Sequence, residues 1–364
     1  MKSLIASQTL FTLAMQFLDL CILVNVFDRS HSVDFTILVF ICQIVAPLFS
    51  LVVITPLMRR HGCSALTMIS LALSIVALVT LAIALHNEEV RTVPILGVVF
   101  FLAFSNAIYR PLIQGAIPIL SSNCMHDIVR VSIWKNIATV IAKPLVPLFG
   151  LIVIPLDWIL IGVALIIIIS IALFRPPMET RAKIADPGLN LSLFSPIMFK
   201  VIPIATLLAS VVRMGLHQDV GKISLHLGIT FSSFTFGVLL GLWNRTLRRL
   251  SLLIGLIGVL FAFSGFQSLP FFVTLVAGVL FSVVDISLNS EIARIVDYVS
   301  RVRAFTALMV ASAIVPAVIL ALTNVLAKRI EGDWFDWGLS LLAIAVTVVQ
   351  IKRILPEGFF MARV

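Results

Sequence analysis

Two carboxylates lie inside long apolar runs of this sequence, Asp19 near the start and Asp285 in the last third. A charge held at mid-span in hydrocarbon costs about 2.5–3.5 kcal/mol on insertion scales, so such groups face a bundle interior or a watery cavity. There they can bind and release a proton, or recognise a polar ligand. Other polar residues share this setting: Gln16 beside Asp19, Asn289 one turn after Asp285, then Arg110, Gln114, Lys143 and Arg213. Amides suit ligand recognition, guanidinium groups suit anions, and a mid-membrane lysine must find an anionic partner, meet an anionic substrate or lose its proton.

The spacing of these residues says what must position them. Thr9, Thr12, Gln16 and Asp19 fall at steps of 3, 4 and 3, and Asn106, Arg110 and Gln114 at steps of 4. Thr206, Ser210, Arg213 and His217 step by 4, 3 and 4, and Ser282, Asp285 and Asn289 by 3 and 4. Each set therefore lies on one face of a helix. At 1.5 Å per residue Asp19 and Asp285 lie about 22 Å along their helices from opposite membrane faces, at different levels, with Lys143 near the midplane.

Composition fixes the medium around those helices. Of 364 residues, 60% are hydrophobic and only 12% are charged, and the mean hydropathy is +1.16. Soluble domains carry about 25% charged residues. A soluble enzyme and a nucleic-acid binder are thereby excluded, even though the net charge is +9. The cysteines (Cys21, Cys42, Cys63, Cys124) have no framework or metal-like spacing. No HExxH sequence and no glycine-rich phosphate loop is present, so neither metalloprotease nor nucleotide chemistry is indicated.

At about 20 apolar residues per span, the chain divides into spans near 4–27, 36–57, 64–86, 93–117, 131–154, 157–174, 199–217, 222–244, 250–267, 270–291, 304–327 and 335–354. This predicts an all-α polytopic membrane protein of twelve helices in two pseudo-symmetric halves. The first half is residues 1–174 and the second is 199–364, joined by the charged, proline-containing linker 175–198. Segments rich in basic residues alternate with segments poor in them: Arg59, Arg60, Arg175, Arg181, Lys183, Arg248, Arg249, Arg301 and Arg303 fall on one side, Arg29, Arg91, Lys328 and Arg329 on the other. The positive-inside rule then puts both termini and the linker in the cytoplasm.

The two halves echo each other. The loop after span two runs Thr55 to Ser64 (TPLMRRHGCS) and the loop after span eight runs Leu240 to Arg249 (LGLWNRTLRR). Both resemble the G-x-L-x-D-R-x-G-R-R loop of the major facilitator superfamily. Arg60 and Gly62 match in the first copy; Leu242, Arg245, Arg248 and Arg249 match in the second. The acidic position, which helps latch the cytoplasmic gate in that family, is Arg59 in one copy and Asn244 in the other. Phe104-Ser105 in span four likewise echoes Phe281-Ser282 in span ten. The stretch Tyr109 to Pro118 (YRPLIQGAIP) is similar to the R-P-x-x-Q-x-A-x-P segment of the exporter branch that holds siderophore exporters and macrolide-efflux proteins. In span five Pro144 matches that branch, while Lys143 replaces a glycine of its antiporter signature.

The resemblance implies the major facilitator fold, a bacterial inner membrane and a polar cavity lined by spans one, four, seven and ten. It implies proton-driven efflux of an amphipathic small molecule, such as a siderophore, a macrolide or a drug-like natural product, by alternating access. The expected partners are that substrate, protons and the lipid bilayer; the expected state is a monomer, with no cofactor and no metal. Asp19, Gln16, Arg110, Gln114, Lys143, Arg213, Asp285 and Asn289 are the pathway candidates, and Arg60, Gly62, Asn244, Arg245, Arg248 and Arg249 the gating-loop candidates. An importer or a sensor of the same fold is the alternative, with an intramembrane enzyme behind both.

Overall fold

The computed structural model describes residues 2–30, 33–86, 92–120, 156–173, 291–295 and 297–327, with single positions at 131, 134, 135, 137, 138, 202, 285, 288, 289 and 338. Within these stretches the chain is helical: α1 (Lys2–Ser30), α2 (Val33–His61), α3 (Cys63–His86), α4 (Thr92–Leu120), α5 (Leu156–Leu173) and α6 (Tyr298–Ala327). Spans one to four, six and eleven of the sequence reading fall on these helices. Spans five, seven to nine and twelve, and most of span ten, lie outside the described residues. Four stretches are long and apolar enough to cross a bilayer, Ile41–Met58, Cys63–Ile83, Ile95–Ile119 and Tyr298–Val315; Ser3–Leu18 and Ile159–Leu173 are shorter apolar helices. The chain is a multi-pass membrane protein.

Only helices and closed barrels satisfy every backbone N–H and C=O in hydrocarbon, so apolar runs this long become helices. Their side chains then sort by neighbour rather than by polarity. On α5, Leu160, Val163, Ile167 and Ser170 are buried while Ile161, Leu165, Ile168 and Ile169 are exposed. Both faces are apolar; one meets protein and the other meets lipid.

The buried seam of α1 is Leu4, Ser7, Phe11, Ala14 and Leu18, at steps of 3 and 4, and it packs against α5. Lipid tails are as apolar as leucine, so helix association there relies on close packing and interhelical hydrogen bonds. Both are present. Ser7 and Ser170 exchange bonds across α1 and α5, each hydroxyl donating to the other's carbonyl at 2.7 and 2.8 Å. Tyr109 of α4 joins them, 3.3 Å from the Ser7 Oγ, with its ring 4.1 Å from that of Phe11. A second serine pair ties α3 to α4: the Ser74 and Ser105 hydroxyls lie 2.5 Å apart, and Ser105 donates to the Ser70 carbonyl.

The chain divides into two compact units. One comprises Met1–Leu191 with Glu291–Ala313, the other Ser192–Ser290 with Ile314–Val364. The first half of α6 thus belongs with α1 to α5.

Candidate functional site

On α1 the helix face opposite lipid carries Ser7, Gln8 and Thr12, all buried. Ser7 is used by the clasp. Both amide atoms of Gln8 and the Thr12 hydroxyl are buried without a hydrogen-bond partner. Thr9, which the sequence periodicity places on the polar face, instead donates to the Ile5 carbonyl of its own helix at 2.7 Å. Gln16 is half-buried further along; Asp19 lies in α1 with its side chain outside the described residues. Gln8 is the residue the periodicity misses, being one position, or 100° of rotation, from Thr9.

On α4 the stripe Asn106, Arg110 and Gln114 is present as a helical face, with Asn106 buried and the other two half-buried. The Asn106 Oδ1 has no hydrogen-bond donor. In the second unit Asp285 is helical and half-buried. Asn289, one turn on, is only 3% exposed, and neither amide atom is hydrogen-bonded. Half-buried Gln43 and Thr55 of α2 add one such atom each. An unsatisfied buried polar group forfeits about 1–3 kcal/mol. The amides and hydroxyls on α1, α4 and at Asn289 are therefore unspent donors and acceptors, suited to a polar ligand. Lys143, Arg213, Asn244, Arg245, Arg248 and Arg249 lie outside the described residues. Among the described residues no group of three or more His, Cys, Asp or Glu side chains could hold a metal ion.

The first gating loop reduces to one residue. α2 ends at His61, Gly62 adopts φ +74°, and α3 begins at Cys63. The Gly62 N–H donates to the Met58 carbonyl at 3.0 Å, and its own carbonyl accepts from Leu66 at 3.2 Å. A left-handed residue closing one helix and opening the next requires glycine. That explains Gly62 without any ligand. Arg60 beside it is exposed.

Against this loop sits the start of α6. Ile54 and Met58 of α2, Leu66 of α3, Ile108, Leu112 and Ala116 of α4, and Tyr298, Val299 and Val302 of α6 form one apolar cluster. The Tyr298 hydroxyl donates to the Leu112 carbonyl at 3.2 Å. Arg301, only 4% exposed, donates from Nη1 to the Gly115 carbonyl at 2.7 Å and from Nε to the Ile295 carbonyl at 2.9 Å. The sequence reading counts Arg301 as an inner-loop residue and begins span eleven at 304. The structure corrects both: α6 starts six residues earlier, and Arg301 is buried within it. Two arginines in its first two turns cut short any apolar window.

Asp297 caps that helix, its Oδ2 accepting from the Ser300 N–H at 2.7 Å. Partial burial pushes its carboxyl pKa up, but the hydrogen bonds from Ser300 and Val299, with the Arg301 charge, outweigh this and hold it below the ordinary value.

No family profile and no curated protein matches this chain by sequence. Solved structures do match along its whole length. The Escherichia coli fucose:proton symporter FucP in the outward conformation is 11% identical, with 98% of this chain and 99% of that one covered and a TM-score of 0.74. A bacterial homologue of the iron transporter ferroportin, in an outward-facing state, is 12% identical over 97% and 98%, at 0.74. The human organic anion transporter MFSD10 is 12% identical over 97% and 98%, at 0.67. This chain has the major facilitator fold. Its helices α1 and α4 are then the first and fourth of that fold, and α6 is the eleventh by the sequence count.

Proposed function

We propose that the chain is a secondary transporter that expels an amphipathic small molecule, such as a siderophore, a macrolide or a drug-like natural product, in exchange for protons. The observation that carries the reading is the set of buried, unsatisfied amides and hydroxyls at Gln8, Thr12, Asn106 and Asn289. A membrane helix retains such groups at a cost in stability, and a polar ligand is the natural recipient of their bonds. In this reading Gln16, Arg110, Gln114 and Asn289 contact substrate. Asp19 and Asp285 carry protons, and Lys143 and Arg213 attract an anionic substrate. Arg60, Gly62, Asn244, Arg245, Arg248 and Arg249 shape the gating loops.

The halves 1–174 and 199–364 alternate access to the two sides, joined by the linker 175–198, in a monomer in a bacterial inner membrane with both termini in the cytoplasm. The fucose:proton symporter and the organic anion transporter among the similar structures support transport of a small polar solute. The exporter-like stretch Tyr109 to Pro118 supports efflux. Arg59 and Asn244 at the acidic loop positions favour the second reading, an importer or a sensor of the same fold.

Metabolite profiling of medium and cells, with and without the protein, tests this directly. Efflux predicts a compound enriched in the medium and depleted in cells when the protein is present. The reverse pattern replaces efflux with import, and identical profiles reject transport in favour of the sensor.

A further inference from the structure

We infer that Arg301 and Gly115 form a reversible latch that holds the first turns of α6 against the far end of α4. The inference goes beyond the transport reading but rests on it, since a latch has a role only in a protein that changes shape.

Three features of the contact point this way. First, the partners are 186 positions apart in sequence, and the approach is close enough to require glycine. A Cβ at residue 115 would stand 2.7 Å from Val302 Cγ2 and 3.2 Å from Tyr298 Cε2. Any other residue at 115 would wedge α6 away from α4.

Second, the bonds across the junction end on main-chain oxygens in the body of α4. The Leu112 and Gly115 carbonyls, each with two lone pairs, already accept a bond within their own helix. Releasing Tyr298 and Arg301 therefore leaves no orphan acceptor on α4. A salt bridge would behave differently, because parting it strands a buried charge on each side.

Third, the donor can be rehydrated when it lets go. Arg301 lies in the first turn of α6, beside exposed Asp297 and Arg294, at the end the charge pattern assigns to the cytoplasm. Its bond to the Ile295 carbonyl is local to its own segment and fixes the guanidinium, aiming Nη1 across the junction. A planar fork can hold two carbonyls at once; an ammonium cannot hold them in the same geometry. The closed state is thus favoured by one well-aimed charge-assisted bond and an apolar seal, and nothing in it makes opening prohibitive.

Spin labels at cysteines introduced at Ile119 of α4 and Arg294 before α6, both exposed, read the gap in the full chain in lipid nanodiscs, with Cys21, Cys42, Cys63 and Cys124 replaced by serine. The latch predicts a dominant short distance in the otherwise native protein. Arg301→Gln should raise the ratio of long to short distances about tenfold, the worth of a bond to a charged group, and Arg301→Lys should fall between. Gly115→Ala should open the gap as well, and adding Val302→Ala should restore the short distance by removing the atom the new methyl strikes. Rescue of that kind separates a wedge from general misfolding. Distance distributions unchanged in Arg301→Gln and Gly115→Ala overturn the latch. Opening in Gly115→Ala that Val302→Ala does not reverse overturns the role given to Gly115. Neither result bears on metabolite profiles, so the latch and the transport reading can fail separately.

Discussion

α1 and α4 bury polar side chains of two kinds, a turn or less apart. Ser7 and Tyr109 belong to a cluster in which hydroxyls find partners, with Ser170 reciprocating from α5. Gln8, Thr12 and Asn106 are as deeply buried and have unsatisfied atoms. Satisfied polar groups between membrane helices act as cement, worth about 0.6 kcal/mol per bond on average. Unsatisfied ones contribute nothing to the fold and lower its stability. The same two helices therefore carry a structural face and a ligand-seeking face, and substitutions should separate them cleanly.

The largest effect belongs to the structural face. Tyr109→Ala empties a fully buried ring site against Phe11 and removes a hydroxyl from the serine clasp, for an expected loss of about 3–5 kcal/mol. The purified variant should melt at a much lower temperature and accumulate poorly. Tyr109→Phe removes only the hydroxyl and should cost about 1 kcal/mol. Similar losses for both would mean that the hydroxyl network, not the ring, holds α4 in place.

The next effect falls on the carboxylates. Asp→Asn keeps shape and much of the hydrogen bonding while removing the titratable proton. Asp285→Asn and Asp19→Asn should each accumulate normally and lower proton-driven transport about a hundredfold, the scale of a lost proton-transfer group. Wild-type transport in both, under a proton gradient, would remove these residues from coupling.

Replacing the unsatisfied groups sharpens the contrast. Asn106→Leu and Gln8→Leu exchange an unpaired amide for an apolar side chain of similar size. Thermal stability should hold or rise by about 1 kcal/mol, because the desolvation penalty is gone. Transport should fall about tenfold. A variant that melts lower would show that its amide is cement after all, and would merge the two faces into one.

Much of this was legible in the sequence, and the failures have physical causes. Apolar runs bounded by charge gave helices within a few residues of their ends, as for span 64–86 against Cys63–His86. Hydrocarbon forces such runs to be helical, so composition alone suffices. Periodicity placed the α4 stripe correctly because Asn106, Arg110 and Gln114 stand alone among apolar neighbours. On α1 three polar residues, Ser7, Gln8 and Thr9, are adjacent, and spacing cannot tell which of them turns inward. Thr9 could satisfy itself on its own backbone; the Gln8 amide found no partner. The junction of α6 with α4 was invisible for another reason. Its arginine looked like a loop charge and its glycine like part of a motif, and only a long-range approach makes either informative.

The smallest expected effect concerns a polar group that is satisfied but exposed, a third case beside the two faces. Asp297 caps α6 with a bond to the Ser300 N–H, and its carboxyl is held below the ordinary 3.8 despite partial burial. A depressed folded-state pKa means that the native structure favours the ionised form. Its contribution to stability is complete above the unfolded value and is lost as pH falls through the folded value. The seating of α6 should therefore weaken only in strong acid, below about pH 4, and hold steady through neutral pH. Asparagine caps a helix about as well as aspartate, so Asp297→Asn should keep the melting temperature at pH 7 nearly unchanged. It should also remove this group's share of the decline between about pH 4 and pH 2. Asp297→Ala, which loses the cap altogether, should cost about 1 kcal/mol at every pH. Melting curves of the three proteins from pH 7 down to pH 2 make the comparison. An asparagine variant that declines in acid as steeply as the wild type would show that other carboxylates govern acid sensitivity, leaving Asp297 as a cap with no titrating role.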